Sequence, residues 1–196
     1  MKKNETKDIV FLLDRSGSMG GMESDTIGGY NSYINKLKNE NALVTTVLFD
    51  DNYELLTDRV DISKVKKLNK KKYYVRGCTA LLDAIGKTIR YIDSKTNHKV
   101  LFIITTDGLE NASVEFNSSQ IKELIQGHKN YEFIYLGADI DSYSEAASIG
   151  IKRENTSNYV KSKRGTAKMF GAMARISADF MADKALPDDW KDGLED

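Results

Sequence analysis

Short, continuous runs of apolar residues recur along the chain, and longer segments of mixed polarity separate them. The runs are rich in β-branched and aromatic residues and cover residues 9–13, 42–49, 100–104 and 133–136. Apolar runs without polar alternation are typical of strands that are buried on both faces, as in a parallel sheet covered by helices. The pattern therefore predicts the central strands of an α/β domain.

The segments between these runs carry apolar residues every three or four positions, which is the spacing of an amphipathic helix. Such helices are predicted around residues 27–37, 81–92, 121–125 and 169–180, with a shorter one over 141–149. Asn117 followed by Gln120 predicts a capped start for the third of them, and Gly127 predicts its end. A weak strand is expected over residues 156–160.

Alternation of strands and helices predicts a doubly wound, mostly parallel sheet with helices on both faces, a Rossmann-like three-layer α/β sandwich. One departure is expected at an edge of that sheet. Asp50, Asp51 and Asn52 separate two strand-like runs, residues 42–49 and 53–60, and so short a connection predicts an antiparallel edge hairpin. A length of 196 residues suits one domain of this kind.

Composition argues against several classes of partner. The chain carries 29 basic and 29 acidic residues, so no net charge favours binding to nucleic acid or to a membrane. Cys78 is the only cysteine, which excludes an internal disulfide and favours a reducing compartment. The first apolar stretch, residues 9–13, is too short for a signal peptide or a membrane span. A cytoplasmic location is therefore expected.

Oxygen-bearing side chains collect at one predicted edge of the sheet. The loop after the first strand places Asp14, Ser16 and Ser18 at alternate positions, with glycine between the serines, so a tight turn directs three oxygens at one point. Thr79 precedes the second predicted helix, and Asp107 follows a buried strand. Ligands of doubly wound folds bind at this edge, and such oxygens suit a hard cation such as Mg²⁺. The alternative interpretation is a capped turn, since Asp and Ser are common turn formers.

The order Asp-x-Ser-x-Ser, a distant threonine and an aspartate that closes a later strand resembles the metal-ion-dependent adhesion site of the von Willebrand factor A family. Its five positions correspond to Asp14, Ser16, Ser18, Thr79 and Asp107, and the resemblance extends over residues 7–160. It implies that the two serines coordinate one divalent metal directly, Mg²⁺ or alternatively Mn²⁺ or Ca²⁺. It also implies that the threonine joins them in the ligand-competent state, whereas the two aspartates act largely through bound waters.

The same resemblance implies a function. The implied function is that of a protein-interaction domain, an adaptor or scaffold rather than an enzyme. In such a domain a Glu or Asp of a partner protein completes the coordination of the metal. The alternative from a different class is a metal-dependent hydrolase acting on phosphoester or peptide substrates. Because no histidine lies beside the motif in the sequence, we prefer the interaction domain.

Other sequence features argue against other sites. A haloacid-type phosphatase needs a second aspartate where Ser16 stands, and the glycines that follow satisfy neither a Walker loop nor a dinucleotide-binding loop. His98 and His128 are too few for a zinc site, so we expect them in solvated loops. Cys78 has no histidine nearby to activate it and is expected to be a small, half-buried residue.

Six lysines fall between Lys64 and Lys72, and Tyr73 and Tyr74 follow them. Three interpretations remain open. The segment is a solvated helix face and loop, a groove for single-stranded nucleic acid, or a basic surface close to the metal that attracts an acidic partner.

The last ten residues differ in character from the rest. Pro187 ends the preceding helix and opens an acidic segment, 187–196, which we expect to be loosely held beyond a domain of residues 1–186. The segment combines carboxylates with Trp190, so two interpretations stand. A solvated terminus predicts a monomer, whereas a peptide that caps the metal of a second molecule predicts weak, metal-dependent self-association.

Overall fold

A mixed sheet lies at the centre of the protein, whose computed structural model describes residues 5–196. Within that range the sheet has six strands, and five α-helices flank it. The strands are β1 (Lys7–Asp14), β2 (Ala42–Phe49), β3 (Tyr53–Asp61), β4 (Val100–Thr106), β5 (Tyr131–Gly137) and β6 (Thr156–Asn158). The helices are α1 (Glu23–Leu37), α2 (Leu81–Asp93), α3 (Ser118–Gly127), α4 (Ser142–Ser148) and α5 (Lys163–Met181).

The strand order β3-β2-β1-β4-β5-β6 gives the sheet a switch point between β1 and β4. The chain moves outwards from β1 to β2 and β3, then crosses to β4 and continues outwards on the other side. Only β3 among the described strands runs antiparallel to its neighbour. The predicted doubly wound fold with an antiparallel edge hairpin is therefore confirmed. Leu13 pairs with Thr105, so the carboxyl ends of β1 and β4 lie side by side.

Each face of the sheet carries its own apolar core, which explains why the strand sequences lack polar alternation. Along β1, Phe11 points into the core under α1 and α5, and its neighbour Leu12 points into the core under α2 and α3. The Phe11 ring packs edge-on against the rings of Tyr30 and Tyr33, with centroids 5.7 and 4.7 Å away. Burial on both faces fixes the register of the central strands.

Helix boundaries follow the local signals where those signals exist. Asn117 and Gln120 form the predicted capping box at the start of α3, and Gly127 is its last residue. The strand β6 ends at Asn158, two residues earlier than expected, because Val160 N donates instead to the carbonyl oxygen of Leu194 at 3.1 Å. No helix formed by residues 5–196 is long and apolar enough to cross a membrane.

The acidic C-terminal segment is packed on the domain, so the expectation of a loosely held tail is wrong. Trp190 and Leu194 are only 3% and 2% exposed and belong to the core under α1 and α5. Trp190 Nε1 donates a hydrogen bond of 2.9 Å to the carbonyl oxygen of Glu154. Burial of the indole, whose N–H keeps a hydrogen-bond partner, favours the packed position more than hydration of the neighbouring carboxylates favours a free one. Weak, metal-dependent self-association through the exposed carboxylates of this segment stays a prediction.

Candidate metal centre

Asp14 lies at the carboxyl end of β1 and joins the two strands at the switch point. Its side chain is fully buried. Oδ1 accepts a hydrogen bond of 2.6 Å from Ser16 N, and Oδ2 accepts one of 2.6 Å from Thr106 Oγ1 at the end of β4. The carboxylate therefore holds the loop after β1 in a fixed position relative to β4.

Four further side chains converge beside this carboxylate. Ser16 Oγ lies 3.0 Å from Ser18 Oγ, and Ser18 Oγ donates a hydrogen bond of 2.5 Å to Asp107 Oδ1. A Cβ atom at Gly108 would lie 2.8 Å from Thr79 Oγ1 and 3.1 Å from Ser18 Oγ. The structure thus brings all five sequence-predicted residues to one edge of the sheet, with three hydroxyls around one glycine.

The loop that carries Thr79 is tied directly to the loop after β1. Gly17 N donates to the carbonyl oxygen of Gly77 at 3.1 Å, and Arg76 N donates to that of Arg15 at 2.9 Å. Gly77 has a φ of 67°, and a side chain there would collide with Asp51. Only glycine adopts this conformation without strain, so the contact between the two loops depends on it.

The burial of Asp14 raises the pKa of its carboxyl group from 3.8 to about 6. Hydrogen bonds from Thr106 and Ser16 oppose the shift, and the nearby charge of Asp107 adds to it. A buried carboxylate without a counterion is unfavourable, and a cation beside it would relieve that cost.

The donor set suits a hard divalent cation. Carboxylate and hydroxyl oxygens are the ligands that Mg²⁺ and Ca²⁺ prefer, and waters commonly complete the shell. Within residues 5–196, no group of three or more His, Cys, Asp or Glu is arranged to hold a metal. A cation at this edge would therefore depend on the hydroxyls of Ser16, Ser18 and Thr79 as well as on the carboxylates.

An open pocket of about 770 Å³ lies over these oxygens. Besides the site residues, Leu109 and Ile140 line it, and Leu109 is 54% exposed. Cys78 also lines the pocket and is exposed, so the expectation of a half-buried cysteine is wrong. Its loop lies on the pocket wall rather than under a helix. A ligand that reaches the oxygens thus has apolar as well as polar surface to contact.

Comparison with known proteins shows the family of the chain as a whole. Residues 8–171 match the von Willebrand factor type A domain. The chain belongs to the von Willebrand factor type A (VWA) domain family. Among curated proteins, none is significantly similar to it.

Solved structures of VWA domains and related proteins share the fold. One is proximal thread matrix protein 1 from the mussel byssus with a zinc-occupied MIDAS motif, at 16% identity and a TM-score of 0.65, covering 87% of this chain and 45% of that one. Another is the von Willebrand factor type A protein from Catenulispora acidiphila, at 15% identity and a TM-score of 0.61, covering 89% of this chain and 43% of that one. A third is the vWF domain of the pilus tip protein Mfa5 from Porphyromonas gingivalis, at 12% identity and a TM-score of 0.69, covering 93% of this chain and 98% of that one.

At such identities the likeness concerns the fold alone. This chain spans less than half of the mussel and Catenulispora chains, whereas it covers nearly all of the Mfa5 domain.

Arg15, in the loop after β1, is a buried structural residue of this VWA domain. Its Nε donates to Asp50 Oδ2 at 2.9 Å, and its Nη1 donates to Glu54 Oε2 at 2.6 Å. Arg76 Nε donates to the same Asp50 oxygen at 2.8 Å. One carboxylate thus links the loop after β1 to the loop that carries Thr79. Nothing in the sequence pairs these residues, because they are far apart along the chain.

Lys161, in the loop before α5, also lies at this site, although the sequence does not indicate it. Its Nζ lies 2.7 Å from Asp107 Oδ2 and donates a hydrogen bond of 2.7 Å to the carbonyl oxygen of Ser18. No local motif marks this lysine. Only a general rule could have pointed to Lys161, namely that loops after parallel strands come together at the carboxyl edge of the sheet.

The two histidines lie away from this edge in loops, as expected, and both are partly exposed to solvent. His98 precedes β4, so it lies at the opposite end of that strand, where Nδ1 is 2.8 Å from Oδ2 of the buried Asp8. His128 Nε2 lies 2.9 Å from Asp93 Oδ2. Each ring also pairs with a carboxylate, a contact that the sequence does not indicate.

The lysine-rich segment is solvated, as the first of the three interpretations expects, but it forms a loop and not a helix face. All six lysines are exposed, and the segment follows a single helical turn, Ile62–Lys64. At its end, Tyr73 is buried and its hydroxyl donates a hydrogen bond of 2.6 Å to the carbonyl oxygen of Asp14. The segment is therefore anchored to the site by a tyrosine rather than by a lysine.

We predict that Gly108→Ala weakens metal binding by about tenfold or more, because its methyl group must displace Thr79 Oγ1 and Ser18 Oγ, and Mg²⁺ tolerates little change in ligand position. The measurement is the rise in melting temperature on adding Mg²⁺, which reports binding to the folded state. Gly28→Ala is the matched control, since a Cβ there meets nothing within 4 Å. A wild-type rise in Gly108→Ala would contradict the prediction.

Proposed function

We propose that this VWA domain holds one divalent metal at the edge between β1 and β4 and uses it to bind an acidic side chain of a partner protein. Ser16, Ser18 and Thr79 would coordinate the metal directly, and Asp14 and Asp107 would act largely through bound waters. The observation that carries the proposal is the convergence of three hydroxyls and Asp107 around Gly108, beneath an open pocket.

The neutral ligands support a binding role. Hydroxyl groups withdraw less of the charge of a cation than carboxylates do, so a metal held by them keeps affinity for an external anion. Mg²⁺ is the cation we propose first, with Mn²⁺ and Ca²⁺ as alternatives. The mussel protein is described with a zinc-occupied MIDAS motif, which supports a divalent metal at such a motif.

A binding function is also in keeping with the family, whose neighbours named above include a matrix protein and a pilus tip protein. The competing hydrolase would need a general base beside the metal. Asp14 and Asp107 are already engaged by Thr106, Ser16 and Ser18. We therefore propose a non-enzymatic adaptor or scaffold. Metal-dependent turnover of phosphoester or peptide substrates, lost in Asp14→Ala, would favour the hydrolase instead.

We propose that the domain acts in the cytoplasm, because its sole cysteine is exposed and would persist as a thiol in a reducing compartment. Cell fractionation tests this location independently of the binding function. Recovery from the cell surface would overturn it.

A random peptide library tests the binding proposal across many possible partner sequences at once. Immobilised wild-type protein is incubated with the library in Mg²⁺, and bound peptides are eluted with a chelator. We expect the eluted peptides to share a Glu or Asp and to be absent when Ser18→Ala replaces the wild type. Peptides that remain bound in chelator, or that lack a carboxylate, would overturn the proposal.

A further inference from the structure

Lys161 places a positive charge against one carboxylate of the proposed metal centre. Its Nζ pairs with Asp107 Oδ2 at 2.7 Å, donates to the carbonyl oxygen of Ser18 at 2.7 Å and lies 3.8 Å from Asp139 Oδ2. The side chain is only 24% exposed, whereas that of Asp107 is fully buried. Because this pair is partly buried, water and salt screen it less than they screen an exposed ion pair.

The two oxygens of Asp107 face different partners. Oδ1 accepts the hydrogen bond from Ser18 Oγ and so belongs to the cluster of hydroxyls. Oδ2 is buried, and its pairing with the Lys161 ammonium is ionic, since the geometry does not make it a hydrogen-bond acceptor. The ammonium therefore contacts the carboxylate oxygen that does not accept from Ser18 Oγ, and Oδ1 stays directed at the hydroxyls.

The backbone around Lys161 is anchored on both sides. Val160 N donates to the carbonyl oxygen of Leu194 at 3.1 Å, and Leu194 belongs to the packed C-terminal segment. On the other side, Ser162 Oγ accepts from Gly165 N at 3.0 Å and caps α5. The lysine is thus part of the domain's fixed framework.

We propose that Lys161 determines the specificity of this site by weakening its affinity for the metal alone and strengthening its affinity for an acidic ligand. The charge of Lys161 has opposite effects on the two ligands, because it repels the metal cation and attracts the carboxylate that binds next to it. The site would consequently favour the state in which metal and acidic ligand are bound together. This inference rests on the proposed function.

Charge removal at position 161 tests the proposal. Lys161→Met keeps the length of the apolar stem, Lys161→Gln keeps a donor for the Ser18 carbonyl, and Lys161→Arg keeps the charge. Lys163→Met, at an exposed position of the same segment, removes an equal charge away from Asp107. The probes are Mn²⁺ alone, followed by electron paramagnetic resonance, and a capped tripeptide with one central glutamate, added to the Mn²⁺-loaded protein.

We expect Lys161→Met and Lys161→Gln to bind Mn²⁺ about three- to tenfold more tightly than the wild type, and to bind the glutamate peptide about three- to tenfold more weakly. Lys161→Arg and Lys163→Met should match the wild type in both measurements. Changes of the same sign for metal and peptide would overturn the proposal, as would unchanged affinities or equal effects of Lys163→Met. Tighter binding of both probes would mean that the lysine blocks the site.

A metal-free measurement separates this inference from the proposed function. In chelator, Lys161→Met should melt at a lower temperature than the wild type, because the buried Asp107 carboxylate loses its counterion. Adding Mn²⁺ should then raise the melting temperature of the variant by more than that of the wild type. A wild type that binds no Mn²⁺ overturns both proposals. Saturable Mn²⁺ binding that position 161 does not alter overturns only this one.

Discussion

Trp190→Ala is expected to lower the free energy of unfolding by about 3–5 kcal/mol, as is usual when a large buried aromatic side chain is removed from a core. The indole is 3% exposed, and its N–H is paired with the Glu154 carbonyl. Its loss leaves a cavity under α5 and an unpaired carbonyl oxygen. Guanidinium unfolding in chelator measures the effect without interference from metal binding.

The matched control for Trp190→Ala is Asp192→Ala, which alters an exposed residue of the same segment. We expect it to change the free energy of unfolding by less than about 0.5 kcal/mol. If both variants unfold at the wild-type denaturant concentration, the C-terminal segment does not contribute to the core and the packing described for it is wrong.

Asp14→Asn is expected to make the metal-free protein more stable while abolishing metal binding. Burial raises the pKa of Asp14 from 3.8 to about 6, so the folded state binds this proton more tightly than the unfolded state does. The charged carboxylate therefore destabilises the fold above about pH 6, and the cost disappears as the pH falls towards the unfolded value. The two-unit shift corresponds to roughly 2–3 kcal/mol. Asparagine has the same shape without the charge.

Denaturant unfolding in chelator, at two pH values, checks this expectation. Near pH 7.5, Asp14→Asn should be more stable than the wild type by about the amount that the shifted pKa implies. Near pH 4, where the wild-type carboxyl group is protonated in the folded state, the difference should be small. Adding Mg²⁺ should stabilise only the wild type. A variant that is less stable than the wild type at the higher pH would show that the charge of Asp14 is already compensated.

Much of the fold could be predicted from the sequence because its signals are local. Runs such as residues 100–104 are apolar throughout, and a strand between two helical layers is the structure that buries them. Asn117 and Gln120 are three residues apart, so their capping box is visible within one turn of helix. The edge hairpin follows from the short connection between β2 and β3.

The interactions that the sequence did not reveal join residues far apart along the chain. Lys161 pairs with Asp107, Arg15 with Asp50, and His98 with Asp8. Charged residues of this kind look like surface residues in a sequence, since nothing local indicates that they are buried with a partner. The C-terminal segment was misjudged for the same reason, because its carboxylates obscured the apolar anchor Trp190.

The candidate site stands between these two cases. Asp14, Ser16 and Ser18 form a local motif, and the parallel sheet brings Thr79 and Asp107 to the same edge, so the grouping could be predicted. Their hydrogen bonds to Thr106 and to each other could not, because those depend on the exact meeting of β1 with β4. Coordination of a metal by the five residues remains a prediction.

Calorimetric titration of Mg²⁺ into metal-free protein tests the central claim most directly. The wild type should show saturable binding of one Mg²⁺ per chain, and the double variant Ser16→Ala, Ser18→Ala should show none while keeping the circular dichroism spectrum of the wild type. Equal binding by the two proteins, or no saturable binding by the wild type, would contradict the assignment of a metal centre to this edge of the sheet.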